Sequence, residues 1–150
     1  MKKFILVAIM MLTGVLSSYA IFDKYTINRE ELPEAAQEML STYFPKAKIG
    51  MIKVDKHLLK KTDYDVKLVN GTRIEFSNSG KWTLVDCGNR ALPDNLVPKT
   101  VAKYISKNFE DVKTVSIKKT STHYEVGLSD GVILKFNLLG QYKGVISIDE

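Results

Sequence analysis

Apolar positions along the chain fall into two alternating rhythms. From Leu32, the residues Ala36, Leu40 and Phe44 follow at four-residue spacing, the period of one helical face. Pro33 opens that run, where a first-turn residue has no helical N–H bond to lose. Past Pro45 the spacing contracts to two. Ile49–Val54 reads as a strand, and Tyr64, Val66 and Leu68, then Ile74 and Phe76, alternate with polar or charged residues. The whole succession then returns. Val97-Pro98 stands 65 residues after Leu32-Pro33, and Val101, Ile105, Phe109, Val112 and Ile117 match Ala36, Leu40, Phe44, Ala47 and Ile52. After a loop five residues shorter, the offset becomes 60, and Tyr64-Asp-Val-Lys-Leu68 faces Tyr124-Glu-Val-Gly-Leu128. Asn70-Gly71 matches Asp130-Gly131, Ile74 and Phe76 match Leu134 and Phe136, and Gly80-Lys-Trp82 matches Gly140-Gln-Tyr142. Agreement of helix, turns and aromatic positions in one order marks an internal repeat.

The alternation also sets the turns. Tyr64, Val66 and Leu68 must share a face with Ile74 and Phe76. A two-residue Asn-Gly turn would put Val66 opposite Glu75 and break that pattern. A three-residue loop, Val69-Asn70-Gly71, puts Val66 opposite Ile74 and Tyr64 opposite Phe76, as in a type I turn closed by a glycine bulge. The same parity makes Asn78-Ser79-Gly80 a loop, with Phe76 facing Trp82 and Ile74 facing Leu84. Ser129-Asp130-Gly131 and Leu138-Leu139-Gly140 repeat these loops, so Gly71, Gly80, Gly131 and Gly140 are expected at positive φ.

The fold class is therefore α+β: two tandem units, each one helix packed on the apolar face of a four-stranded antiparallel meander. The fourth-from-last strand of the chain runs through Thr114–Lys118. The first unit spans 21–87 and the second 88–150, with Cys87–Leu96 as connector. Ile21–Arg29 shows no periodicity and reads as a loose lead-in.

The first 20 residues have a different character. Lys2 and Lys3 precede an apolar run from Phe4 to Leu12, and Ser18 and Ala20 occupy the small-residue positions of a cleavage site. This is the pattern of a secretory signal peptide cut after Ala20. The run is short for a bilayer crossing of about 20 residues, so no stable membrane insertion is expected after cleavage. Removing 20 of 150 residues leaves 130, enough to build a core without covalent staples. A single cysteine, Cys87, cannot form an internal disulfide. It reads as a small core or strand-end residue, against an intermolecular bridge. The formal charge of +5 includes Lys2 and Lys3. The remaining lysines are interspersed with Asp and Glu, without the basic stripe and interleaved aromatics of a nucleic-acid surface.

The signal peptide, the helix ending in Tyr43-Phe44-Pro45-Lys-Ala47 and the tandem helix-plus-four-strand units resemble the PepSY-like proteins, which share the architecture of β-lactamase inhibitory protein. The resemblance runs from about Leu32 to Asp149. It implies a non-catalytic inhibitor-like or regulatory module outside the cytoplasm, periplasmic or secreted. β-Lactamase inhibitory proteins grip an enzyme with the open sheet face of both units. A single cysteine departs from their internal disulfides, and no inhibitory loop residue matches, so the scaffold alone carries over.

Chemistry-bearing patterns are sparse. His57 and His123 lie far apart, without the clustered ligands of a zinc site. No phosphate loop, nucleophile elbow or His-Glu-x-x-His run occurs. The register places Asp65 opposite Glu75, beside Lys67 and Arg73, on the outer face of the sheet. Paired carboxylates can divide acid and base roles when their environments differ. An open face instead favours a solvated lattice with diagonal pairs, Asp65 with Arg73 and Lys67 with Glu75. Trp82 and Tyr142 occupy matching inward positions and read as core rather than as a sugar platform. No catalytic, metal or cofactor residue is assigned.

Three functions remain in competition: a module that binds another exported protein, a carrier of a small envelope ligand such as a peptide or lipid, and an unrecognised hydrolase. A carrier needs an apolar cleft of a few hundred Å³. The candidate contacts for a protein partner are two apolar pairs outside the strands. Leu138-Leu139 stands at a turn where the first copy has Asn78-Ser79, and Leu58-Leu59 lies in the longer loop. Lys60, Lys61 and Lys143 ring them, with Lys67 and Arg73 on the sheet. The competing expectation is that both pairs fold back over a helix end or into the seam between the units.

Overall fold

The computed structural model describes residues 23–56 and 63–146. The signal-peptide assignment, His57, the Leu58-Leu59 pair and its lysines fall outside the described residues. Strand β1 (Lys24–Thr26) leads into a short 3-10 turn at Arg29–Glu31 and helix α1 (Glu34–Tyr43). Strands β2 (Ile49–Asp55), β3 (Asp63–Leu68), β4 (Arg73–Phe76) and β5 (Trp82–Asp86) follow. Helix α2 (Lys99–Asn108) then precedes β6 (Thr114–Lys119), β7 (His123–Leu128), β8 (Ile133–Asn137) and β9 (Tyr142–Ile146).

Each helix starts directly after a proline, Pro33 or Pro98, whose extended ψ of 148° or 138° turns the chain into the helix. Each ends on an aromatic, Phe44 or Phe109, whose N–H closes the last turn on Leu40 or Ile105 at 2.9 Å. The four-residue rhythm buries Ala36, Met39 and Leu40 in α1 and Val101 and Ile105 in α2. Those faces pack on the alternate strand positions that parity selected: Ile52, Val66, Ile74, Phe76, Ile117, Val126, Leu134 and Phe136 are almost wholly buried. A fully buried side chain of this size contributes about 2 kcal/mol.

The sheet departs from the expected pair of four-stranded meanders. The strands among the described residues form one antiparallel sheet of nine, in the order β1 to β9 without a crossover. Strands β5 and β6 join through Leu84↔Lys118, Val85↔Ile117 and Asp86↔Ser116. Left apart, each would present an unpaired row of N–H and C=O groups. The ninth strand comes from the segment expected to be a loose lead-in: Tyr25 pairs with Lys53 on the free edge of β2.

The first hairpin follows the parity argument, with Val66↔Ile74 and Tyr64↔Phe76. The glycines at 71, 80, 131 and 140 have φ of 91°, 80°, 91° and 81°. The second hairpin is corrected in one step. Phe76 does face Trp82, but the register shifts between Glu75 and Phe76, so Ile74 faces Val85 rather than Leu84. A bulge puts two residues opposite one and reverses the parity beyond it. Val85 is accordingly fully buried, while Leu84 stands half-buried on the outer face.

Candidate functional site

The face away from the helices carries the odd-numbered residues of β2 and β3 and the charged residues of β4. Here a cleft of about 320 Å³ opens between Lys53, Asp55, Asp63, Asp65, Arg73 and Glu75. Arg73 is its centre. Its Nε lies 3.1 Å from both Asp65 carboxylate oxygens, and its Nη2 lies 2.9 Å from Asp65 Oδ2. The same Nη2 reaches Glu75 Oε1 at 2.5 Å. The bonded Asp65 carboxylate, against a small desolvation penalty, raises the Arg73 pKa above its ordinary value.

The Asp65–Arg73 diagonal therefore forms as the sequence suggests. The Lys67–Glu75 diagonal does not, because Glu75 turns to Arg73 and Lys67 stays exposed. On the neighbouring strand Lys53 pairs with Asp23 at 3.0 Å, and this bond raises the Lys53 pKa. Asp65 and Glu75 thus share one guanidinium on a face open to solvent.

A second constellation surrounds His123. Its Nε2 lies 3.1 Å from Glu125 Oε1, and its Nδ1 lies 2.8 Å from Thr122 Oγ1 and 3.0 Å from Thr120 Oγ1. The sequence reading gave this histidine no carboxylate, yet positions two apart on a strand share a face. Thr120 Oγ1 is also tied to the N–H groups of Thr122 and His123, so the group closes a tight turn. Among the described residues, no three His, Cys, Asp or Glu side chains are placed to hold a metal ion.

Cys87 lies buried at the end of β5, where Thr72 Oγ1 donates to its Sγ at 3.8 Å and Arg90 Nη2 donates to Thr72 Oγ1 at 3.0 Å. Burial raises the thiol pKa, outweighing the Thr72 bond and the nearby Arg90 charge. Such a thiol is a packing residue, not a nucleophile.

The turn that carries the tip leucines lies against the start of α2 at Thr100, and the leucine side chains themselves are exposed. Leu138 is 44% exposed and Leu139 is 76% exposed. Lys143 is exposed beside them. Tyr142 is not core as expected, being 37% exposed. It stacks on Tyr104 of α2 with centroids 4.6 Å apart, while Trp82 does pack against the core. The structure leaves Lys67 and Arg73 on the sheet face and the leucines at the β8–β9 turn. What the sequence reading missed is the company of that turn. Helix α2 borders a shallow hollow of about 420 Å³ lined by Thr100, Lys103, Tyr104, Lys107 and Asn108. The recurrence of Lys99, Lys103 and Lys107 at four-residue spacing was the available signal.

A single antiparallel sheet with two helices on one face and a solvated outer face defines an α+β module. Residues 62–143 match the family described as "putative beta-lactamase-inhibitor-like, PepSY-like", and the chain belongs to that family. It is 34% identical to a "putative periplasmic protein of unknown function" from Bacteroides vulgatus, with a TM-score of 0.80 over 84% of this chain and 100% of that one. A "putative calcium-regulated periplasmic protein" from Bacteroides thetaiotaomicron is 30% identical, with a TM-score of 0.78 over 83% of this chain and 97% of that one. A further Bacteroides vulgatus structure, described as a "putative periplasmic protein", is 34% identical, with a TM-score of 0.78 over 85% and 99% of the two chains. No curated protein matches the sequence.

Proposed function

We propose that this protein is a non-catalytic module, exported to the periplasm after loss of residues 1–20, that binds another exported protein as its inhibitor or regulator. Its scaffold is read as two diverged copies of one helix-plus-four-strand unit that share a sheet. The observation that carries the reading is the outer face of that sheet. Arg73 bonds two carboxylates there, which orient its guanidinium, and Lys67 stands exposed beside it. A preformed array of charges is suited to orienting a complementary protein surface, because few of its side chains need to be ordered on contact.

The 320 Å³ cleft is lined by six charged side chains beside Tyr64, Phe76, Ser77 and Thr83, so it lacks the predominantly apolar wall that a lipid carrier needs. Calcium regulation, named for the Bacteroides thetaiotaomicron relative, gains no support here, because among the described residues no three His, Cys, Asp or Glu side chains are placed to hold a metal ion. The test is capture from envelope extract on the immobilised chain from Ile21 onward, in parallel with Lys67→Glu/Arg73→Glu. A protein retained by the parent and lost by the variant, with melting temperatures alike, supports the reading. Identical retention by both chains overturns it.

A further inference from the structure

The two halves of the sheet share a scaffold and differ at one corner. In the sequence match, Lys99, Lys103 and Lys107 of α2 stand where α1 has Glu34, Glu38 and Thr42. Leu138-Leu139 stands where the β4–β5 turn has Asn78-Ser79. Four-residue spacing places the three lysines along one helix face. All three are exposed, and α2 contains no acidic residue.

The structure brings the leucine turn to that face. A Cβ on Gly140 would meet Thr100 Oγ1 at 1.9 Å, so the turn sits against the first residues of α2. Tyr142, two residues past Gly140, stacks on Tyr104, which shares a hollow with Lys103 and Lys107. One corner thus presents two leucines, two tyrosine rings and the lysine row, with Lys143 on the adjoining strand.

The fold does not need the leucines. Asn137 holds the turn, its Oδ1 accepting from the Leu139 N–H at 3.1 Å and the Gln141 N–H at 2.9 Å. The β4–β5 turn reaches the same shape with Asn78-Ser79.

We propose that this corner docks the folded domain on an anionic phospholipid surface, with Leu138 and Leu139 entering the acyl boundary. Exposed leucines on a protruding turn can reach the hydrocarbon edge, tyrosine rings suit the headgroup layer, and lysines pair with lipid phosphates. The lysine row runs about 12 Å along the helix at 1.5 Å per residue. Spread point charges of this kind match a plane of phosphates better than the directed fork that a carboxylate site on a protein would call for. The contact is peripheral: no helix among the described residues is long and apolar enough to cross a membrane.

The test uses the chain from Ile21 onward, which retains every described residue, sedimented with vesicles. Mixed phosphatidylglycerol–phosphatidylcholine vesicles should retain it, and phosphatidylcholine alone should not. Each lysine near such a surface contributes roughly fivefold, so Lys103→Gln/Lys107→Gln should lower partitioning about 25-fold. Leu138→Asn/Leu139→Ser, which copies the other turn, should lower it at least about tenfold with an unchanged melting temperature. Absence of binding to the anionic vesicles, or equal binding to both vesicle types, overturns the proposal. So does a leucine variant that keeps its vesicle partitioning but loses a protein captured from envelope extract, because the turn is then a protein anchor. The Lys67/Arg73 variant should bind vesicles as the parent does, which separates this surface from the sheet face.

Discussion

Gly80 and Gly140 each close a turn against the start of a helix. Each turns between the last two strands of its half at φ near 80°, and each leaves the room its Cβ would fill to the start of a helix. Their neighbours differ. A Cβ at Gly80 would meet the Ala36 backbone N and Pro33 Cβ at 2.9 Å, and at Gly140 it would meet Thr100 Oγ1 at 1.9 Å, which can rotate away, and Thr100 Cβ at 2.9 Å, which cannot. Gly71 and Gly131 share the positive φ with open space around them. Alanine at 71 or 131 should therefore destabilise by about 1 kcal/mol from backbone strain alone. Alanine at 80 or 140 should add a further 1–3 kcal/mol or so of overpacking. Urea melts of the four variants check the order, and equal losses at all four would remove the helix contact from the account.

The bulge in β5 makes a second ordering. Val85 is fully buried opposite Ile74, and Leu84 is half-buried on the outer face opposite Glu75. Val85→Ala should cost about 2 kcal/mol in lost transfer energy and cavity, and Leu84→Ala, though it removes more atoms, clearly less. The opposite ranking would restore the unbulged register.

That bulge shows where the sequence stops being legible. Helix faces, the first hairpin and all four turn glycines follow from periods of 3.6 and 2 plus parity, since one slipped residue would turn a whole apolar set outward. A bulge shifts parity without altering composition, and Thr83-Leu84-Val85 is apolar enough to read either way. Strand β1 has three residues and no alternation to detect; it is held by the β2 edge and by an ion pair between Lys24 and Glu31. The site was legible as residue types only. Whether Glu75 turns to Lys67 or Arg73, and that Tyr142 leaves the core for Tyr104, depends on side-chain packing across strands and helices far apart in sequence.

Cys87 offers a readout in pH. Its folded pKa lies above that of an exposed thiol because burial disfavours the thiolate. Its contribution is fully present below the unfolded thiol pKa, about 8.5, and is lost as pH rises through the higher folded value. A thiol reagent at pH 8 should label the native chain far more slowly than the urea-unfolded chain, and non-reducing electrophoresis should show monomer. Rapid labelling of folded protein would place the thiol at the surface.

The charge lattice around Arg73 should matter little to stability. Arg73 is 45% exposed while bonding Asp65 and Glu75. Solvent screening limits such pairs, so Arg73→Leu should shift stability by less than about 1 kcal/mol, with the difference shrinking in high salt. A loss of several kcal/mol that salt does not alter would mean that the guanidinium holds the sheet together.

The join between β5 and β6 decides whether the halves are independent. Val85 and Ile117 face each other across it with no exposed surface, so each half completes the other's core there. The ladder continues into the connector, where the Cys87 N–H reaches Val115 O at 2.9 Å and the Leu92 N–H reaches Thr114 O at 2.8 Å. Leu92 and Leu96 of that connector are themselves buried. Cutting after Cys87 would bare two strand edges and this apolar seam, and halves of about 65 residues have little burial in reserve. The intact chain should therefore unfold in one transition, with the fluorescence of its single Trp82 in β5 and the far-UV ellipticity of the whole sheet superimposing along a urea titration. Residues 21–87 and 88–150 made separately should aggregate or stay unfolded. A soluble 88–150 fragment with protected amides in β7 and β8, or a fluorescence transition displaced from the ellipticity, would show instead that each half folds alone and the seam is only a contact between them.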